Sequence, residues 1–291
     1  MELKTLIDAP SLRAALGDRS LVVLDCRFDL AAPQAGARAY LAGHIPTARY
    51  VDLNRDLSAP VSPTSGRHPL PEPERLAARF KELGIDASSQ VVLYDELNGS
   101  FAARGWWLLR WLGHAQAAVL DGGLQAWRAA GGAIEAGGAF ESSGTPPAMD
   151  PRAERAPPRV DARAVVSSAE LVDLLELRRG LLVDARAAER FAGTVEPIDP
   201  VAGHVPGAVN HPFSANLRED GRFLPPAELE RRWRERLAGV APADAIAMCG
   251  SGVTACHNLL ALEIAGLTGA RLYAGSWSEW IRDPERPVAR G

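Results

Sequence analysis

In this sequence of 291 residues, the residue best suited to take part in a reaction is Cys249, which begins a short glycine-containing loop. Residues 245–248 form an apolar run typical of a buried strand, and residues 255–265 predict a helix. Gly250 and Gly252 between them allow close backbone approach, so that successive N–H groups can converge on the sulfur. Amide donors at a helix N-terminus favour the thiolate, which is the reactive form of cysteine. The pattern therefore predicts a nucleophilic cysteine.

Two other interpretations of Cys249 were weighed. A free cysteine commonly acts as a small hydrophobe, here at the end of a strand, although the flanking glycines argue against that role. The same loop geometry suits phosphate, and a cysteine phosphatase needs an arginine six residues after its nucleophile to hold the phosphoryl oxygens. That position is Ala255 in this chain, which argues against a phosphatase.

The loop belongs to a repeated pattern that extends along the chain. Four blocks recur in the same order: residues 21–27 return as 181–186, 42–46 as 202–206, 91–95 as 245–249, and 120–127 as 273–280. Conserved order over four blocks indicates a duplicated domain. Asp95 occupies in the first copy the place that Cys249 has in the second, so we expect only the second copy to carry the nucleophile.

The elements that must position this loop predict an α/β fold. Within each copy, short apolar runs alternate with helical patterns, which is typical of a parallel sheet with helices on both faces. We therefore expect two tandem domains of this type, a non-catalytic one at 1–136 and a catalytic one at 161–291. Residues 137–160, rich in Gly, Pro, Ser and Ala, are the expected linker. Residues 73–83 and 228–237 predict matching helices, and Ser167 begins a capping box.

Charge and cysteine content exclude several classes of function. The chain has 32 Lys and Arg against 36 Asp and Glu, a net charge of −4, which gives no general attraction for nucleic acid or an anionic membrane. Neither a secretory signal nor a long apolar segment is evident. Three cysteines do not make a disulfide framework, so a cytoplasmic location is expected. No metal-ligand spacing or nucleotide-binding loop is present, and we expect no metal and no organic cofactor.

Taken together, these motifs resemble those of tandem-domain rhodanese-type sulfurtransferases. The resemblance is carried by the Ala-Gly-His-x-Pro blocks at 42–46 and 202–206, by Ser-Gly-Arg-His-Pro-Leu-Pro at 65–71, by the loop from Cys249 to Ala255, and by Gly-Ser-Trp-Ser-Glu-Trp at 275–280. Within the family, Cys-Gly-Ser-Gly-Val-Thr is similar to the loop of 3-mercaptopyruvate sulfurtransferases, whereas thiosulfate sulfurtransferases typically carry Arg and Lys there.

The resemblance implies a two-step sulfur transfer. Cys249 would take a sulfur atom from 3-mercaptopyruvate as a persulfide and pass it to a thiol acceptor, such as a thioredoxin-like protein or glutathione, or to cyanide. Two alternatives stay open: thiosulfate as the donor, and a relay module that receives sulfur from another protein. We expect no nucleic-acid or membrane partner.

The resemblance also implies roles for individual residues. Arg190 matches a family arginine that binds the donor carboxylate, and its alternative role is that of a surface arginine. A second arginine that relatives often carry shortly downstream is absent from residues 195–200. Ser251 would polarise the substrate or relay a proton, or else only cap the helix. The amides of four loop residues would stabilise the persulfide: Gly250, Gly252, Val253 and Thr254. Three further side chains are expected to support the site: His44, His68 and Trp277.

Overall fold

The structure, a computed structural model, describes residues 3–137 and 159–291. Most of the expected linker, 138–158, lies outside the described residues. The chain divides into two compact units. The first takes in the described residues of 1–58, 71–160 and 219–222, and the second takes in 59–70, 161–218 and 223–291. Residues 59–70, which the sequence placed inside the N-terminal domain, thus pack as part of the second unit.

The first unit is built on one parallel sheet. Its elements are β1 (Leu6–Ile7), α1 (Ala9–Ala15), β2 (Leu21–Asp25), α2 (Ala35–Ala42), β3 (Arg49–Tyr50), α3 (Pro73–Glu82), β4 (Gln90–Tyr94), α4 (Ala102–Trp111), β5 (Ala117–Leu120) and α5 (Gly123–Ala129). The five strands lie in the order β1-β5-β4-β2-β3, and every pairing is parallel.

The second unit repeats the design with four strands. Its elements are α6 (Ser168–Glu176), β6 (Leu181–Asp184), α7 (Ala188–Ala192), β7 (Val209–Asn210), α8 (Pro226–Leu237), β8 (Ala245–Met248), α9 (Thr254–Ile264), β9 (Arg271–Leu272) and α10 (Ser276–Trp280). The strands lie in the order β7-β6-β8-β9, again all parallel. The predicted α/β fold, two parallel sheets flanked by helices, is confirmed.

Several helices begin where the sequence signals predict. The Ser167 side chain caps α6 by accepting a hydrogen bond from the N–H of Glu170 at 3.1 Å, as expected of a capping box. Both α3 and α8 start with a proline, whose missing N–H costs nothing in the first turn of a helix. None of the helices in the described ranges has the length and apolar character required to cross a bilayer.

A buried ion pair lies at the carboxyl end of β2 in the first unit and of β6 in the second. Arg27 bonds to Asp25 at 2.6 Å in the first unit, and Arg186 bonds to Asp184 at 2.7 Å in the second. Each arginine also donates to the carbonyl of the glycine in its Ala-Gly-His block. The expectation of a shared structural pair is therefore confirmed, and these two arginines hold the loops at the carboxyl edge of each sheet.

Candidate active site

Cys249 is the first residue after β8, at the carboxyl edge of the second sheet. Its Sγ atom accepts hydrogen bonds from the N–H groups of Gly252 at 3.1 Å and Ser251 at 3.5 Å. The residue is only 2% exposed, so a donor must bring its sulfur down to the floor of the loop. The expected convergence of amides on the sulfur is thus present, with the Ser251 amide taking part. Within the described residues, no hydrogen bond joins the N–H groups of Gly250, Val253 or Thr254 to Sγ.

The beginning of α10 braces the cysteine loop from behind. The N–H of Cys249 donates to Ser276 Oγ at 3.1 Å, and the Cys249 and Gly250 carbonyls accept from Trp277 and Ser278 at 3.0 and 2.9 Å. Ser276 has a φ of 54°, a left-handed conformation that costs a non-glycine residue on the order of 1–3 kcal/mol. Because strain of this kind persists only where the surroundings enforce it, the Ser276 position is part of what holds the loop.

Gly252 is required by the shape of the loop. Its φ is 78°, and a Cβ atom there would lie 2.4 Å from the carbonyl oxygen of Ala274. At Gly250 the space for a side chain is taken up by other groups. A Cβ atom there would lie 2.9 Å from Arg67 Nη2 and 3.5 Å from Arg190 Nη1. Two guanidinium groups therefore lie against the residue that follows Cys249.

Ser251 is paired with a histidine from the segment 59–70. The Ser251 Oγ atom lies 2.7 Å from His68 Nδ1, and both side chains are buried. A serine in contact with an imidazole can take up or release a proton close to Cys249. The structure thus brings together three of the residues expected in the site: Cys249, Ser251 and His68.

Arg190 reaches the loop from the C-terminal half of the five-residue helix α7. Its Nε donates to both carboxylate oxygens of Glu196 at 3.1 Å, and its Nη2 donates to Glu196 at 2.7 Å and to Asp199 at 3.0 Å. These contacts fix Arg190 beside Gly250. The surface role considered for it is not what the structure shows, since the side chain is 16% exposed.

Arg67 is the site residue that the sequence analysis missed. Its Nη1 pairs with Asp199, and its N–H donates to Ser278 Oγ at 3.0 Å. Asp199 therefore holds both Arg67 and Arg190. The sequence did contain a signal: Arg67 stands next to His68 in a motif that carried the resemblance, while the downstream arginine of relatives was absent.

The two carboxylates beneath these arginines respond to burial in opposite ways. Burial disfavours the charged form of Glu196, but hydrogen bonds from Arg190 and from the N–H groups of Asp199 and Ile198 outweigh it and lower the pKa of Glu196. Burial raises the pKa of Asp199, and the Glu196 carboxylate adds to this, despite the attraction of the arginines. The hydrogen bonds from Arg190 and the two N–H groups thus favour the charged form of Glu196.

The first unit has a carboxylate where the second has its thiol. The Asp95 side chain accepts hydrogen bonds from four N–H groups of its own loop, at 2.9–3.3 Å. Burial raises the pKa of Asp95, although these hydrogen bonds oppose the shift. The carboxylate thus fills the amide cradle of the first copy from within.

Two expected supporting residues have structural contacts instead. His44, in the first unit, bonds through Nδ1 to the Tyr40 carbonyl at 2.8 Å and stacks on the Tyr40 ring; His204 repeats this arrangement on Phe191 in the second unit. Trp277 is fully buried, so its expected place at the wall of the site is wrong. Its ring packs in the core against Arg186, because the short helix α10 turns that face inward.

Comparisons with known proteins agree with this geometry. The rhodanese-like domain family matches residues 8–130 and 167–283. The chain is 52% identical to a probable 3-mercaptopyruvate sulfurtransferase from Pseudomonas aeruginosa, over 98% of each chain. It is 42% identical to a putative thiosulfate sulfurtransferase from Mycobacterium tuberculosis, over 92% of this chain and 90% of the relative.

Among solved structures, a 3-mercaptopyruvate sulfurtransferase from Leishmania major superposes with a TM-score of 0.79 at 32% identity, covering 95% of this chain and 74% of that one. Two family matches in one chain, two parallel sheets and one surviving cysteine loop lead to a single assignment. The chain belongs to the rhodanese-like domain family, as a tandem pair of such domains.

Proposed function

We propose that the chain is a sulfurtransferase that carries sulfur from 3-mercaptopyruvate, through a persulfide on Cys249, to a thiol or to cyanide. The observation that carries the proposal is the hydrogen bonding of Cys249 Sγ to the loop amides of Ser251 and Gly252. The relative at 52% identity, a probable 3-mercaptopyruvate sulfurtransferase, supports the same reaction. Residues 161–291 and the segment 59–70 supply the site; the domain of residues 1–136 is otherwise non-catalytic.

In the first step, the Cys249 thiolate attacks the sulfur of 3-mercaptopyruvate. A sulfur–sulfur bond forms, the carbon–sulfur bond breaks, and the electron pair leaves with pyruvate as its enolate. The enolate carbon takes the proton that the donor thiol gives up, so the products are pyruvate and the Cys249 persulfide anion. The loop amides that hold Sγ are positioned to stabilise negative charge on the sulfur pair.

The pair formed by Ser251 and His68 supports proton transfer in this step. The hydroxyl and the imidazole are 2.7 Å apart, beside the nucleophile, and can accept the donor's thiol proton and return it to the enolate carbon. The cysteine alone cannot do this, because its electron pair is committed to the new sulfur–sulfur bond. Ser251 and His68 are therefore proposed as the acid–base pair of the first step.

In the second step, an acceptor attacks the outer sulfur of the persulfide. A thiolate yields a new persulfide, and cyanide yields thiocyanate; either reaction restores the Cys249 thiolate. A thioredoxin-like protein or glutathione are the acceptors that we favour, and a reducing cytoplasm would keep both available.

Thiosulfate is a second candidate donor. Two guanidinium groups beside Gly250 suit a dianion as well as a carboxylate, and the relative from Mycobacterium tuberculosis is a putative thiosulfate sulfurtransferase. The loop from Gly250 to Ala255 itself carries no charged side chain, which favours the monocarboxylate. Comparison of kcat/KM for the two donors decides between them.

Mass spectrometry tests the proposal directly. After incubation with 3-mercaptopyruvate, the peptide containing Cys249 should gain about 32 Da, the mass of one sulfur, and release it on addition of cyanide. Cys249→Ser should neither gain mass nor turn over, whereas the matched control Cys26→Ser should do both. A chain that no small-molecule donor labels would instead be a sulfur-relay module.

A further inference from the structure

We propose that Arg67 is the main ligand of the donor carboxylate and that Arg190 is secondary. This inference rests on the proposed function and names the group that would select its substrate. It reverses the assignment that the sequence favoured, in which Arg190 held the carboxylate. The two arginines differ in which edge of the guanidinium group is already hydrogen-bonded to the protein.

The edge of Arg190 that could hold a carboxylate through two hydrogen bonds is already bonded to the protein. The Nε and Nη2 atoms form the side of a guanidinium that binds a carboxylate through two parallel hydrogen bonds. In Arg190 both atoms donate to Glu196, and Nη2 donates to Asp199 as well. What remains toward Gly250 is Nη1, at 3.5 Å from the position of a Cβ atom there. Arg190 can therefore offer a ligand one further hydrogen bond.

On Arg67 the Nε side of the guanidinium is not occupied by an acceptor from the described residues. Its pairing with Asp199 uses Nη1, on the other side of the guanidinium. Its Nε atom is buried and has no hydrogen-bond partner among the described residues, and its Nη2 atom lies against Gly250. A buried N–H without a partner is costly, and a bound carboxylate would relieve that cost. The open edge of Arg67 is thus a carboxylate site directly beside the nucleophile.

Arg67 is also held rigidly enough to act as a ligand. Its backbone N–H is fixed by Ser278, and Asp199, itself 3% exposed, fixes its guanidinium. The adjacent residue is His68, whose ring contacts Ser251. One short segment of chain therefore presents both the carboxylate ligand and the proposed proton partner to the cysteine loop.

The spacing suits a short donor. Gly250 follows Cys249 directly, so their Cα atoms are about 3.8 Å apart. In 3-mercaptopyruvate the sulfur and the carboxylate are separated by only two carbon atoms. A donor whose sulfur meets Cys249 thus has its carboxylate at the level of Gly250, where Arg67 Nη2 and Arg190 Nη1 converge.

The test compares two donors that differ only in the carboxylate. Mercaptoacetone carries a methyl group where 3-mercaptopyruvate has its carboxylate, so it cannot use an arginine ligand. The variants are Arg67→Lys and Arg67→Gln, with Arg190→Lys for comparison. Arg271→Lys is the matched control, since Arg271 is a partly buried arginine of the same unit that pairs with Glu170.

We expect Arg67→Lys to lower kcat/KM for 3-mercaptopyruvate roughly 10- to 100-fold, mainly through KM, because the two-pronged contact is uniform binding. Arg67→Gln should lower it further. Both should lower kcat/KM for 3-mercaptopyruvate at least about 10-fold more than they lower kcat/KM for mercaptoacetone, and Arg190→Lys should have the smaller effect on KM. Arg271→Lys should change neither donor.

Other results separate failure of the inference from failure of the proposed function. If both Arg67 variants slow the two donors equally, or if Arg190→Lys raises KM for 3-mercaptopyruvate more than Arg67→Lys does, the inference about Arg67 is overturned and the enzyme's activity stands. If wild-type protein gains no sulfur from 3-mercaptopyruvate, the proposed function falls and the inference falls with it.

Discussion

The Oγ atom of Ser251 lies 2.7 Å from Nδ1 of His68, although the two residues are 183 positions apart in the chain. This contact joins the cysteine loop to a segment that belongs, by sequence, to the other copy of the repeat. It makes a serine that would otherwise only precede a helix into a candidate proton carrier. Its chemical consequence is measurable in one half of the reaction.

Ser251→Ala should slow formation of the persulfide and spare its discharge. Loss of proton transfer is expected to lower the single-turnover rate with 3-mercaptopyruvate by about 100-fold or more, whereas a preformed persulfide should react with cyanide at the wild-type rate. Rapid-quench mass spectrometry follows both halves. Ser251→Thr, which keeps a hydroxyl, should recover much of the rate. Equal slowing of both halves would show that Ser251 only shapes the loop.

The two loop glycines should fail in different ways. In Gly250→Ala the new methyl group meets the terminal nitrogens of two arginine side chains, which yield by a small shift more easily than backbone atoms do, so we expect KM to rise while stability falls by less than about 1 kcal/mol. In Gly252→Ala it meets a backbone carbonyl at a left-handed φ, so we expect a loss of about 2–4 kcal/mol and little labelling of Cys249.

Steady-state kinetics and urea unfolding of the two variants separate these effects. A Gly250→Ala enzyme with wild-type KM would mean that the arginines do not contact the donor.

Glu196 should make the protein acid-sensitive. Its pKa is lowered in the folded state, so its stabilisation is complete above its usual value of 4.5 and is lost as pH falls below that toward the folded pKa. Glu196→Gln should therefore cost about 1–3 kcal/mol at pH 7 and progressively less below pH 4.5.

Urea unfolding across this pH range measures the effect. Glu189→Gln, an exposed neighbour, is the control and should leave the pH profile unchanged. A cost that stays constant from pH 7 to pH 3 would show that Glu196 acts through packing and not through its charge.

The Asp95 carboxylate should contribute strongly to the stability of the first unit. Asp95→Ala leaves four loop N–H groups without their acceptor, and we expect a loss of about 2–4 kcal/mol. Because burial raises the pKa of Asp95, the stability that this group contributes should decline as pH rises from 3.8 through its folded value.

Thermal unfolding at several pH values tests both statements. Asp29→Ala, which removes an exposed carboxylate that caps one N–H, should have a much smaller effect. An Asp95→Ala protein as stable as wild type would show that water replaces the carboxylate in the cradle.

Much of the fold was predictable because its signals are local. The predicted helix at 255–265 is observed one residue earlier, at Thr254–Ile264, and Ser167 caps α6 as the sequence predicts. The duplicated Asp-x-Arg pattern correctly predicted an ion pair at the ends of β2 and β6. Repetition supplied the rest, since two copies of one pattern must form two similar sheets.

The site was predictable only where it depends on one stretch of chain. The Cys249 loop is formed by one short stretch of sequence, and the spacing of its glycines predicted that backbone N–H groups would converge on the sulfur. The approach of Arg67 to Gly250 is tertiary, and no periodicity encodes it. The prediction for Trp277 was wrong for a related reason. The helix that carries it has only five residues, too few for a hydrophobic pattern to show which face is buried.

The placement of residues 59–70 in the second unit has an evolutionary consequence. A gene shortened to its C-terminal half would keep the nucleophile but lose its proton partner and an arginine beside it. The first copy, which has Asp95 in place of a cysteine, is therefore expected to remain necessary for the reaction at Cys249.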